Sequence, residues 1–214
     1  MDILCGAPLP EFGLPRRFHR DLHQGPVSDG STFVARRLDT TDEDLEGLGI
    51  QPPEVAVAIV SALTTKADGK FHTSLKTAIL PGDDRYGMFT LAVGDDGFIV
   101  TKQVTVCPNN PAEGAPATTG AIMVMDGQTG LLRAVLGANW ISAVKTAALS
   151  MVAARRLADP GAETIAFVGA GVQAHSHSVA FSELFPLKRI RVFGRGKANV
   201  DKLFGYSRNM GLVA

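Results

Sequence analysis

Gly169-x-Gly171-x-x-Ala174 follows directly on the apolar run 165–168, the pattern of a buried parallel strand that turns into a helix. Gly169 allows the sharp turn, Gly171 lets the backbone approach a pyrophosphate, and Ala174 keeps the next helix close to the strand. A helix expected from about Val172 to Leu184 aims its unpaired N–H groups and positive dipole end at that anion. Glycine-rich turns also close ordinary strand-helix corners, so context decides. A second strand over 189–193 completes a β-α-β unit of about thirty residues. Where NAD-binding corners place a carboxylate for the ribose, this chain runs Gly194-Arg195-Gly196-Lys197. A guanidinium and an ammonium there suit a 2′-phosphate, so NADP(H) is favoured over NAD(H).

The second group of residues with chemical potential is cationic. In 98–106, Phe98, Val100, Val104 and Val106 share one face of a strand and Thr101, Gln103 and Thr105 the other, yet Lys102 falls on the apolar face. An ammonium there must snorkel, pair with an anion or line a cavity. Lys145 follows Ser142, read here as the N-cap of a helix that runs to Ala158. The dipole disfavours a cation in a first turn, so a ligand anion or a neighbouring acid is expected beside Lys145. His175 and His177 are two apart on a helix and face nearly opposite ways, and Cys5 and Cys107 have no neighbouring cysteine. No metal site is expected.

These groups need a scaffold, and the chain is able to build one. It has 214 residues, 45% hydrophobic, enough for a sizeable core. Twenty-one basic residues balance twenty-one acidic ones, which argues against nucleic acid or an acidic membrane as partner. The N-terminus carries Asp2 and lacks a basic segment followed by an apolar core, so a cytoplasmic location is expected. Residues 1–35, with Pro8, Pro10, Pro15 and Pro26, read as an extended lead-in. A short helix begins with Asp42, Glu43 and Asp44 and ends near Gly47; a longer one starts at Pro52 and Pro53 and stops at Asp68-Gly69. Both read as packing elements. From His72 to Asp126 short strands alternate with turns at 81–84 and 94–97, and after the turn 126–130 a further strand covers 131–136.

The segments KQVTVCPN (102–109), DGQTG (126–130) and above all NWISAVKTAALSMVAARRLADPGAETIAFVGAGVQ (139–173) resemble the ornithine cyclodeaminase and mu-crystallin family, with weaker likeness back to Arg36. The resemblance implies a substrate-binding and dimerisation domain over 36–140, hence a homodimer, then a Rossmann domain over 141–214 that binds NAD(H) or NADP(H). It implies hydride exchange between a small amino or imino acid and the nicotinamide, with ring closure and loss of ammonia in cyclodeaminating members. Lys76 in SLKTAIL, Lys102 and Lys145 match the family's cationic positions for the substrate carboxylate. Gly169, Ala170, Gly171, Val172 and Gln173 match its nucleotide corner, with Lys145 and Arg195 flanking it. Thr119, or its neighbour Thr118, matches a hydroxyl near the nicotinamide.

Two departures stand out. Lys145 replaces the family's usual arginine, a point charge for a bidentate fork. The family's catalytic aspartate has no counterpart before Ala214, so no catalytic residue is assigned. Residues 211–214 read as the opening of a third parallel strand. The fold class expected is α/β, an incomplete Rossmann-type parallel sheet behind an α+β domain, in a truncated enzyme or one whose remainder lies elsewhere. The alternatives are a mu-crystallin-like binding protein without turnover, an imine reductase or amino acid dehydrogenase of the same family, and a Rossmann-like fragment with no activity.

Overall fold

The structure, a computed structural model, describes residues 38–213, so the lead-in, Cys5 and Arg36 lie outside the described residues. Its first sheet contains β1 (Leu38–Thr40), β2 (Phe71–Thr73), β3 (Thr77–Ile79), β4 (Tyr86–Gly94), β5 (Phe98–Val106), β6 (Thr118–Asp126) and β7 (Leu132–Gly137). The strand order is β1-β7-β6-β5-β4-β2, with β3 also paired to β4. Every pairing is antiparallel except β1 with β7.

Local chemistry sets these boundaries. Between β4 and β5 Gly97 takes φ +84°, a left-handed conformation that side chains disfavour. Between β6 and β7 the Asp126 carboxylate accepts from Gln128 N and Thr129 N at 3.1 and 2.8 Å. Leu131 closes that turn through its carbonyl, bonded to Asp126 N at 2.9 Å, and β7 therefore starts one residue later than the pattern 131–136.

Helices α1 (Asp42–Glu46) and α2 (Pro52–Ala67) form as the sequence indicates. Thr41 caps α1 by accepting from Asp44 N, and Asp44 returns the bond to Thr41 N. Helix α3 (Asn139–Leu157) departs from expectation: its N-cap is Ala138, and Ser142 lies inside it. The missing cap comes from α1, where Asp42 Oδ1 accepts from Trp140 N at 2.8 Å. Lys145 consequently occupies the second turn, where the dipole's effect has largely faded. Ala143, Ala147 and Met151 form a buried stripe on α3, and Ala147 and Met151 join Ala180 in a core with Ala56 packed against it. Small side chains let the helices approach closely.

The second sheet pairs β8 (Thr164–Val168) with β9 (Arg189–Phe193) in parallel, joined by α4 (Val172–Ser182). After α5 (Lys197–Asn209), Val213 forms a parallel bridge to Arg189, as the sequence of 211–214 indicates. Ile190 and Leu203 are fully buried at the centre, with Ala170, Ala174 and Leu212 around them. The architecture is α/β, a mostly antiparallel sheet followed by a Rossmann-type β-α-β unit. Among the described residues, no helix is long and apolar enough to cross a membrane.

Candidate functional site

The glycine corner connects β8 to α4. Gly169 has φ +105°, and Gly169 N donates to Phe193 O at 2.7 Å, which ties the corner to the end of β9. No protein atom lies within 4 Å of where a Cβ on Gly169 or Gly171 would project. That open cradle, beside a helix start that no side chain caps, fits a pyrophosphate that approaches the backbone and takes the first-turn N–H groups. The recess here measures about 280 Å³ and is lined by Phe167, Val168, Gly169, Gly171, Gln173 and His177, among others. Ala170 is buried, while Val172 and Gln173 are exposed at the start of α4.

The basic loop adjoins this corner: a Cβ on Gly194 would meet Val200 at 3.0 Å and Ala170 at 3.8 Å. Arg195, the next residue, is exposed. Lys197 Nζ is bonded to Asp201 at 2.6 Å, which leaves Arg195 as the freer of the two cations.

Lys102 is half-buried on the face of the first sheet that α3 covers, and its Nζ donates to Ser142 Oγ at 2.7 Å. Ser142 in turn donates to the Ala138 carbonyl. Lys145 stands on the same helix, three residues beyond Ser142, so it shares that side of α3. Lys76 is exposed and immediately precedes β3, which pairs with the same strand, β4, that carries Thr90 opposite Lys102. Its charge reaches the Lys102 ammonium from there.

The electrostatics agree with this convergence. Burial pushes the Lys102 ammonium below the ordinary lysine range, and the positive charges of Lys145 and then Lys76 push it further. Among the described residues no carboxylate forms an ion pair with any of the three. Two further cations beside a half-buried ammonium can together receive an anion such as a carboxylate.

The remaining predicted residues separate. Thr119 pairs with Thr105 and shares its face, opposite to Lys102, whereas Thr118 pairs with Val106 on the face of Lys102. The two helical histidines diverge: His175 packs edge-on against Tyr206, and His177 Nε2 meets Ser150 Oγ at 2.9 Å. Sequence reading missed Ser142 as a lysine partner, Asp42 as a distant cap, and the link between His177 and Ser150. Each depends on tertiary register; only the odd position of Lys102 on an apolar face signalled that a partner was needed.

A profile of the ornithine cyclodeaminase/mu-crystallin family matches residues 40–213. The ketimine reductase mu-crystallin of Mus musculus is 31% identical over 155 residues, 72% of this chain and 49% of that protein. Delta(1)-pyrroline-2-carboxylate reductase 1 of Burkholderia multivorans is 36% identical over 112 residues, 52% of this chain and 36% of that protein. Among solved structures, the Thermococcus litoralis Delta(1)-pyrroline-2-carboxylate reductase in complex with NADH and L-proline aligns with TM-score 0.77 and 27% identity, over 82% of this chain and 55% of that one. An archaeal alanine dehydrogenase dimer with bound NAD aligns with TM-score 0.76 and 25% identity, over 83% and 55%. The chain spans about half the length of the curated relatives it matches. The profile runs from the end of β1 to Val213, and the same segment carries the glycine corner and the lysine cluster: the chain belongs to the ornithine cyclodeaminase/mu-crystallin family.

Proposed function

We propose that this chain provides the nucleotide corner and the carboxylate receptor of an NAD(P)-dependent oxidoreductase that acts on a small amino or imino acid. The observation that carries the reading is the convergence of the Lys76 and Lys145 charges on Lys102, whose ammonium is held by Ser142 of the helix that also packs on α4. NADP(H), when bound, supplies or accepts the hydride. The corner 169–173 holds its pyrophosphate and Arg195 its 2′-phosphate. The three lysines hold the substrate carboxylate, and Ser142 orients Lys102, whose ammonium releases a proton more readily than an ordinary lysine. Of Thr118 and Thr119, the first lies on the lysines' face, and we assign it the contact near the nicotinamide. The division into a substrate-binding part, 36–140, and a nucleotide part, 141–214, follows the change from the first sheet to α3 and the second.

Similarity to an imine reductase seen with NADH and L-proline, and to an alanine dehydrogenase dimer with NAD, supports both the chemistry and a homodimer. So does the opposite face of the first sheet, which exposes Phe89, Val93 and Met123. Ornithine cyclodeamination is the alternative within the same reading. The second reading, a nucleotide- and carboxylate-binding protein without turnover, uses the same corner and lysines and needs no catalytic base, a role for which no residue is assigned here.

The test is a fluorescence titration with NADPH and NADH, followed by assays for reduction of Delta(1)-pyrroline-2-carboxylate and for ammonia release from ornithine. Reduction of the imine supports the oxidoreductase; ammonia supports the cyclodeaminase; binding without either leaves the second reading. Failure to bind either nucleotide removes all of them.

A further inference from the structure

Helix α3 is gripped at two places. Near its start Ser142 Oγ receives the Lys102 ammonium, and about two turns later Ser150 Oγ lies 2.9 Å from His177 Nε2 on α4. His177 lines the recess at the glycine corner, and its Nδ1 lies 2.7 Å from the Gln173 carbonyl. A carbonyl only accepts, so Nδ1 carries the hydrogen, and Nε2 of the neutral ring accepts from the Ser150 hydroxyl. Phe181 packs edge-on against the imidazole, with centroids 5.7 Å apart.

The composition is that of a nucleophile and its base, but the placement is not. Ser150 sits in the interior of α3 against α4, where the helix consumes its own N–H groups and leaves none for an oxyanion. What the pair does instead is mechanical. The core between α3 and α4, through Ala147, Met151 and Ala180, is apolar and non-directional. The Ser150 to His177 bond is the one hydrogen bond between side chains of these helices among the described residues. Lys145 precedes Ser150 by five residues on a continuous helix, about 7.5 Å along its axis.

We propose that His177 and Ser150 are positioning residues that link the glycine corner to the lysine cluster, so that a nucleotide which orders the start of α4 also orders α3 for the carboxylate and each ligand favours the other's binding. The proposal rests on the functional reading above. α3 is the spacer: its early turns present Ser142 and Lys145 to the anion, and its middle turn fixes the helix whose start receives the pyrophosphate. Apolar packing alone would let the two helices slide, whereas a bonded imidazole sets their register.

The experiment measures binding of NADPH and of L-proline, singly and together, to the full chain and to Ser150→Ala, His177→Phe and His177→Gln. In the unaltered chain each ligand is expected to tighten the other about fivefold or more. Ser150→Ala should leave each single affinity within about twofold but bring the mutual factor to about one, and His177→Phe should abolish the mutual factor as well. His177→Gln, whose amide oxygen can take the place of Nε2, should restore it. An unaltered chain that binds no NADPH overturns the functional reading and this proposal with it. Two ligands that bind without mutual effect, or an effect that survives in Ser150→Ala, overturn the positioning role alone. So does Ser150→Ala if it loses NADPH affinity by itself, because Ser150 would then belong to the nucleotide site. If His177→Phe does not fold, Ser150→Ala, which removes only an oxygen atom, decides the matter.

Discussion

Asp42 caps a helix that begins ninety-seven positions after it: its Oδ1 accepts from Trp140 N, and |i−j| for that bond is 98. Gly137 makes the approach possible, since a Cβ there would stand 2.7 Å from both Cγ and N of Asp42. Asp42→Ala is expected to lower stability by about 1 kcal/mol, as for loss of an ordinary cap. Gly137→Ala should cost about 1 to 3 kcal/mol, because backbone must shift as well. Urea denaturation of the two variants checks the order, and equal midpoints for both would mean that the close approach is unimportant.

Lys102 gives a pH dependence of defined sign. Its lowered value in the folded chain, from burial first and then from Lys145 and Lys76, means that the unfolded chain holds that proton more tightly. Stability therefore rises with pH between the folded and the unfolded values. Affinity for a carboxylate runs the other way, full while Lys102 is charged and lost as pH climbs through the lowered value. As pH rises, L-proline binding should therefore begin to weaken before the pH at which an ordinary lysine titrates, about 10.4, is reached. Lys102→Met should bind at least about tenfold more weakly and remove that titration. Persistence of the same profile in the variant would assign it to another group.

Gly171 separates folding from ligand binding. Its φ is −88°, open to any residue, and a Cβ there meets no protein atom within 4 Å. Gly171→Val should therefore leave the melting temperature unchanged while abolishing NADPH binding, since the valine fills the anion's place. A variant that still binds NADPH normally would remove the pyrophosphate from this corner.

Arg195 tests the choice of nucleotide. Lys197 is already engaged by Asp201, so the 2′-phosphate depends chiefly on the guanidinium. Arg195→Ala should weaken NADPH by about tenfold, the worth of one charge-assisted hydrogen bond, and leave NADH nearly unaffected. Equal losses for both nucleotides would place Arg195 elsewhere than at the ribose.

Much of this was readable in the chain before any coordinates. The alternation of 98–106 exposed Lys102 as the misplaced charge, and the glycine spacing after 165–168 located the strand-helix corner. What escaped was non-local. Ser142 is the better capping residue by type, but with Asp42 supplying the cap from another element the helix starts four residues earlier than Ser142 would set it. Lys76 comes near Lys102 only because β3, which follows it, pairs with β4. The choice between Thr118 and Thr119 turns on a single pleat. His177 could be separated from His175 by helical geometry, yet its partner on α3 is 27 residues away.

The parallel pairing of β1 with β7, Leu38 against Ala134, has a consequence for synthesis. As the chain leaves the ribosome, β1 and the Asp42 carboxylate emerge long before their partners, and neither can settle until Trp140 is free of the exit tunnel. The β4-β5-β6 hairpins can form meanwhile from neighbouring segments. The surroundings of Lys102 are thus assembled only after residues 132–140 have closed on the oldest described stretch of the polypeptide.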